Sequence, residues 1–168
     1  AKVVAAGESA GGHIAACAAL LSDYDAAGED HSISSRPDAL VLFNAPLVMA
    51  KIEGVMDVPE QRIARLKRFL RVDPAKISPY HFIKENAPPT IVFHGTDDST
   101  VPYQTAQLFV KAMNEAGAKC ELKTYPDMPH AFANYGRHEN KPFFETLVQT
   151  DEFLNGLGYL YGKPTLKY

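Results

Sequence analysis

Three short stretches of this 168-residue chain hold the residue types that nucleophilic catalysis needs. Ser9 stands in Gly7-Glu8-Ser9-Ala10-Gly11, a G-x-S-x-G pattern lying between two apolar runs. Asp97 and Asp98 are adjacent in His94-Gly95-Thr96-Asp97-Asp98, and His130 closes Asp127-Met128-Pro129-His130. A serine hydroxyl is a poor nucleophile until a base takes its proton, and an imidazole can do so. A carboxylate on the far side of that ring fixes its tautomer and stabilises the imidazolium. The chemistry open to this set is acyl transfer through Ser9, with His130 as base and an aspartate behind it. The N–H of Ala10, next after the serine, would donate to the developing oxyanion. The bland alternative for the first stretch is a glycine-rich strand–helix turn that binds a phosphate or nothing.

Such residues act together only if the fold carries them to one rim. Lys2 leads into Val3-Val4-Ala5-Ala6, a short apolar run that predicts a buried strand, and Ile14 to Leu21 predicts an apolar helix. A sharp turn between them needs small neighbours, which the glycines supply. Ser22 to Asp38 is polar and turn-rich, as a surface connection would be. Ala39-Leu40-Val41-Leu42-Phe43 predicts a second strand buried on both faces, ending at Asn44-Ala45-Pro46. Pro59 opens a helix with Ile63, Leu66 and Leu70 on one side, closed by Asp73-Pro74. Its crowd of Arg62, Arg65, Lys67, Arg68 and Arg71 is expected to form a solvated face, with a site for acidic ligands as the alternative. Thr90 to His94 predicts a third strand. A helix from Pro102 follows it, with Ala106, Phe109, Val110 and Met113 on one face and Gly117 as its stop. Cys120 to Tyr125 alternates like a half-exposed strand near an edge, and a last helix runs from about Asn140 to Gly156 with Phe144, Leu147, Phe153 and Leu154 for packing. The order implies an α/β fold, a doubly wound and mostly parallel sheet with helices on both faces. Ligands bind such sheets at the carboxyl ends of the strands, where all three stretches fall.

Composition narrows the function classes. With 46% hydrophobic and 22% charged residues the chain reads as one ordinary globular domain. A net charge of −3 offers no electrostatic case for nucleic acid, and no apolar run approaches a membrane span. Cys17 and Cys120 are expected to be buried free thiols rather than a disulfide or metal pair. No metal and no cofactor is expected, since neither C-x-x-C nor H-E-x-x-H occurs. The compartment is left open.

The chain resembles the α/β-hydrolase family, specifically its esterase branch. The resemblance is carried by Gly7-Glu8-Ser9-Ala10-Gly11-Gly12-His13, by His94-Gly95-Thr96-Asp97-Asp98-Ser99-Thr100-Val101-Pro102 and by Pro129-His130-Ala131-Phe132. Ser78-Pro79 and Pro88-Pro89 extend it over nearly the whole length. It looks closest to bacterial acetylesterases and carbohydrate esterases, the acetyl-xylan and feruloyl esterase-like enzymes. The resemblance implies Ser9 as nucleophile, Asp98 rather than Asp97 as acid, and His130 as base, with Ala131 where the family has glycine. It also implies further strands and a His-Gly-Gly loop ahead of the elbow, the loop giving a second oxyanion donor. The expectation is a single domain over 1–168, incomplete at its N-terminus, with a lid-like helical insertion at about 47–86. Missing N-terminal residues, or a second copy pairing through the Val3-Val4 strand, are the partners such an edge would take.

Four more residues are candidate substrate contacts: His13, Asn44, Tyr80 and Phe132, each with packing as its alternative. His94 is expected to be a core histidine that orders the acid loop, and His31, His81 and His138 receive no role. The leading function is cleavage of short-chain esters, such as acetyl or feruloyl esters of carbohydrates, through an acyl-enzyme. Two alternatives stay open: a peptidase of the prolyl-oligopeptidase type, and an inert hydrolase-fold binding protein.

Overall fold

A computed structural model describes residues 2–166 apart from 23, 25, 27 and 31, so His31 lies outside the described residues. Four strands, β1 (Val4–Glu8), β2 (Ala39–Phe43), β3 (Thr90–Gly95) and β4 (Cys120–Tyr125), form one parallel sheet in the order β1-β2-β3-β4. The helices are α1 (Ala10–Leu20), α2 (Glu60–Leu70), α3 (Tyr103–Glu115) and α4 (Lys141–Gly156). The period of two sorts the central strands between two cores. Leu40, Leu42 and Val92 meet the alanines of α1 and the Phe109–Met113 face of α3, while Val41, Ile91 and Phe93 meet Phe132 and Phe153. Phe93, Leu40 and Leu42 are fully buried, and each such burial contributes about 1.5–3 kcal/mol.

The starts of β1 and α1 differ from the sequence expectation. β1 starts at Val4, because Asp38 engages the residues before it: the Val3 N–H donates to its Oδ2 and its own N–H donates to the Val3 carbonyl. α1 starts at Ala10, four residues before Ile14, because the turn at Ser9 delivers the chain straight into the helix. β1 is an edge of the sheet among the described residues, and Val3 beside it is 60% exposed.

Residues 47–86 depart from the strand–helix alternation. They contain α2, none of whose residues is buried, and two 3-10 turns, Pro74–Ile77 and Pro79–Phe82. Fully buried Ser78 ties this segment together, accepting from the Met49 N–H and donating to His81 Nδ1 at 2.9 Å, while His81 Nε2 donates to the Lys51 carbonyl. No helix among the described residues is long and apolar enough to cross a membrane.

The close approach of β1 to α1 explains two glycines and not a third. A Cβ on Gly7 would lie 2.4 Å from the Gly11 carbonyl carbon, and one on Gly12 would lie 2.8 Å from both Ala45 Cβ and the Gly7 carbonyl oxygen. Gly11 faces open space. The steric demand therefore falls on Gly7 and Gly12, so the second glycine of the G-x-S-x-G pattern is not the one that packing requires. Gly7→Ala and Gly12→Ala are expected to lower the unfolding free energy by about 1–3 kcal/mol or more. Gly11→Ala should be neutral or stabilise by up to about 1 kcal/mol. Denaturant unfolding of the three variants checks this, and equal losses at all three positions would contradict it.

Candidate active site

Ser9 occupies the tip of the turn with φ 49° and ψ −119°, a region that costs a non-glycine residue about 1–3 kcal/mol. The surroundings hold it there. Its N–H donates to the Phe43 carbonyl at the end of β2, and its carbonyl accepts from the His13 N–H in the first turn of α1. The hydroxyl is thereby lifted over the carboxyl end of the sheet, where His130 Nε2 lies 3.0 Å from Ser9 Oγ. His130 Nδ1 donates in turn to Asp98 Oδ2 at 2.7 Å. Ser9, His130 and Asp98, 121 and 32 residues apart in sequence, form one hydrogen-bonded line. Ala10 opens α1 beside them, in the first turn whose N–H groups have no intrahelical acceptor.

Asp98 is 6% exposed and its carboxylate is enclosed by donors. Oδ1 accepts from the N–H groups of Thr100 and Val101 at 2.9 and 2.8 Å; Oδ2 accepts from Asn44 Nδ2 at 2.9 Å as well as from His130. Exposed Asp97 contributes instead through its backbone, donating to the Met128 carbonyl. That carbonyl comes so close to β3 that a Cβ on Gly95 would lie 2.1 Å from it. The Asp127 N–H donates to Thr96 Oγ1, and the Thr96 N–H to the Tyr125 carbonyl. The acid loop and the histidine loop are therefore stitched into one unit. Ala131, where the resembled family has glycine, takes φ +60°, a conformation that costs an alanine about 1–2 kcal/mol, and the His130 ring still meets both partners.

The four residues considered as substrate contacts separate. His13 lines the cleft above Ser9, with Nε2 donating to the Ile77 carbonyl at 2.7 Å. Asn44 does not reach the cleft: it is fully buried, and its amide is spent on Asp98. Phe132 is also fully buried, packed 4.5 Å from the Tyr125 ring in the core below the histidine loop. Tyr80 lies against the α1–α3 core rather than the cleft. The cleft itself measures about 770 Å³ and passes between the start of α1, the acid loop and α2. Arg62, Arg65, Leu66 and Phe69 of α2 line it; sequence reading placed the two arginines on a solvated face and Leu66 on the packing side, and gave Phe69 no role. Their i, i+3, i+4 and i+7 spacing is the signal that could have grouped them. Cys17 and Cys120 are free, and burial pushes their thiols up to about 11 and about 12, which leaves them unreactive. Among the described residues no group of three His, Cys, Asp or Glu side chains could hold a metal ion.

Burial sets the charge states around the site. His94, fully buried, is pushed below the usual histidine value by desolvation and donates Nε2–H to the Val101 carbonyl as a neutral ring. Desolvation pushes His13 down as well. Burial alone would raise Asp98, but the donors from Val101, His130, Asn44 and Thr100 outweigh it and hold the carboxyl below the ordinary range. The signs agree. Below about pH 6.5 the unfolded chain binds protons at His94 and His13 that the folded chain refuses, so stability falls as pH drops. Asp98 stabilises fully above about pH 3.9, and that contribution is lost as pH falls through its lower folded value. Denaturant unfolding should give a smaller free energy at about pH 5.5 than at pH 7.5, with a shallower fall in His94→Asn. Equal or greater stability at the acid pH would contradict these charge states.

Comparison with known proteins agrees with this geometry. The chain is 29% identical over 136 residues to a probable isoprenylcysteine alpha-carbonyl methylesterase of Oryza sativa, covering 74% of this chain and 33% of that protein. It is 29% identical over 164 residues to a probable carboxylic ester hydrolase, LipM, of Mycobacterium tuberculosis, covering 88% of this chain and 36% of that one. A propionate-bound esterase of the planctomycete Thermogutta terrifontis superposes with a TM-score of 0.85 at 44% identity, over 96% of this chain and 58% of that chain. The same esterase phosphonylated by sarin gives 0.88 at 45%, over 95% and 58%. The chain thus spans about a third of the curated relatives' length and under three-fifths of the solved esterase. Its fold is that of the α/β-hydrolases. The BD-FAE family model matches residues 1–113, and the chain belongs to that family.

Proposed function

We propose that this chain carries the nucleophile, base and acid of a serine carboxylic ester hydrolase acting on short-chain esters through an acyl-enzyme on Ser9. The observation that carries the reading is the unbroken Ser9–His130–Asp98 line at 3.0 and 2.7 Å. As Ser9 Oγ attacks the ester carbonyl, His130 Nε2 takes its proton, and Asp98 stabilises the imidazolium while staying ionised. The Ala10 N–H donates to the oxyanion, an interaction whose loss typically costs about 3–4 kcal/mol of barrier. Collapse expels the alcohol, which receives the proton from His130. Water then attacks the acyl group with the same imidazole as base.

Short acyl groups are favoured by similarity to an esterase solved with propionate bound. The phosphonylation of that esterase by sarin supports a covalent route, which here would run through Ser9. Acetyl and feruloyl esters of carbohydrates are the natural substrates to assay first, and a cleft of about 770 Å³ leaves room for an alcohol of that size. Hydrolysis of 4-nitrophenyl butyrate by the chain is expected to fall on the order of 10³-fold or more in Ser9→Ala, and comparably in Asp98→Asn. Turnover indifferent to Ser9→Ala would overturn the proposal.

A further inference from the structure

The helix above the cleft bears a charge pattern that ester cleavage does not require. α2 and the residue that caps it hold Arg62, Arg65, Lys67, Arg68 and Arg71 against one acid, Glu60, in a chain of net charge −3. Lys67 pairs with Asp73 at 3.6 Å. Arg62 and Arg65 are different: they line the cleft that holds Ser9, and among the described residues neither is in an ion pair. No Asp or Glu lines that cleft. Arg62 is half-buried, with Nη2 at 3.5 Å from the Thr100 carbonyl, a long contact that leaves most of its donors unused. Thr100 in turn donates its N–H to Asp98 Oδ1, so this guanidinium lies beside the loop that supplies the acid.

Buried Val48 and Met49 border the same cleft from outside α2, and low-dielectric walls strengthen the field of a cation set beside them, while Arg65 and Phe69 stand exposed at its rim. A guanidinium fork matches a carboxylate in two parallel hydrogen bonds. We infer that the substrate ester carries a carboxylate, held by Arg62 and Arg65 while the ester carbonyl lies at Ser9. The inference rests on the ester-hydrolase reading of Ser9 and narrows it to acidic esters, of which a half-ester of a dicarboxylic acid is the simplest.

The test pairs near-isosteric esters, 4-nitrophenyl hydrogen adipate and 4-nitrophenyl hexanoate. The wild-type chain should favour the charged ester in kcat/KM by about tenfold at low salt, the factor expected of one charge-assisted contact. The ratio should shrink several-fold in about 0.5 M salt, where screening is short-ranged. It should collapse toward unity in Arg62→Gln/Arg65→Gln, where a general loss of activity cancels from the ratio. Arg68→Gln removes the same charge from the same helix outside the cleft lining and should keep the preference. Calorimetry on Ser9→Ala with methyl hydrogen adipate and methyl hexanoate reads binding without turnover. Selective binding of the charged ester by a wild-type chain that turns over neither substrate would sink the hydrolase reading and support the anion site. A ratio near one, or a preference that survives the double variant, would overturn the anion site while leaving the hydrolase reading intact.

Discussion

A carboxylate withdrawn from water must be surrounded by donors, and the rim of this sheet is arranged to meet that demand for Asp98. Its donors come from three places: Asn44 at the end of β2, the backbone of its own loop after β3, and His130 in the loop after β4. Each exists only because a parallel strand ends at that level. With the carboxylate ionised, the His130 ring has one stable orientation, with Nδ1–H toward Asp98 and Nε2 toward Ser9. Removing any donor would leave a buried charge short of a partner, so Asp98, His130 and three strand ends depend on one another.

The serine side obeys a different constraint, steric rather than electrostatic. Gly7 and Gly12 let β1 and α1 come within contact of each other's backbone, and the strained turn at Ser9 is the consequence. Its strain is offset by the hydrogen bonds that tie Ser9 to Phe43 and His13. The two constraints meet in the 3.0 Å gap between Ser9 and His130.

Much of this was legible in the sequence, and the reasons are physical. Continuous apolar runs such as Ala39–Phe43 announce strands buried on both faces, and residues just past their ends must share a rim. What escaped was the direction in which loop and helix side chains turn. Asn44 follows β2 as the pattern requires, yet its positive φ of 45° carries the amide down onto Asp98 instead of into the cleft. Phe132 sits two residues past His130 and is drawn into the core by Tyr125 and Phe153. Gly12 matters more for packing than Gly11 because the helix begins at once, which local spacing does not reveal. Arg65, Lys67, Arg68 and Arg71 are exposed, as a solvated face requires, but sequence alone does not show that Arg62 and Arg65 also border the cleft over Ser9.

The central claim is that Ser9 is a nucleophile made reactive by His130 and Asp98. Mass spectrometry of the chain after treatment with a fluorophosphonate tests it most directly, because the adduct reports the nucleophile without depending on any choice of ester. The account predicts a single adduct on the peptide containing Ser9, lost when His130 is replaced by alanine and the fold is retained. No adduct on the folded chain, or labelling of Ser9 at the same rate without His130, would contradict it.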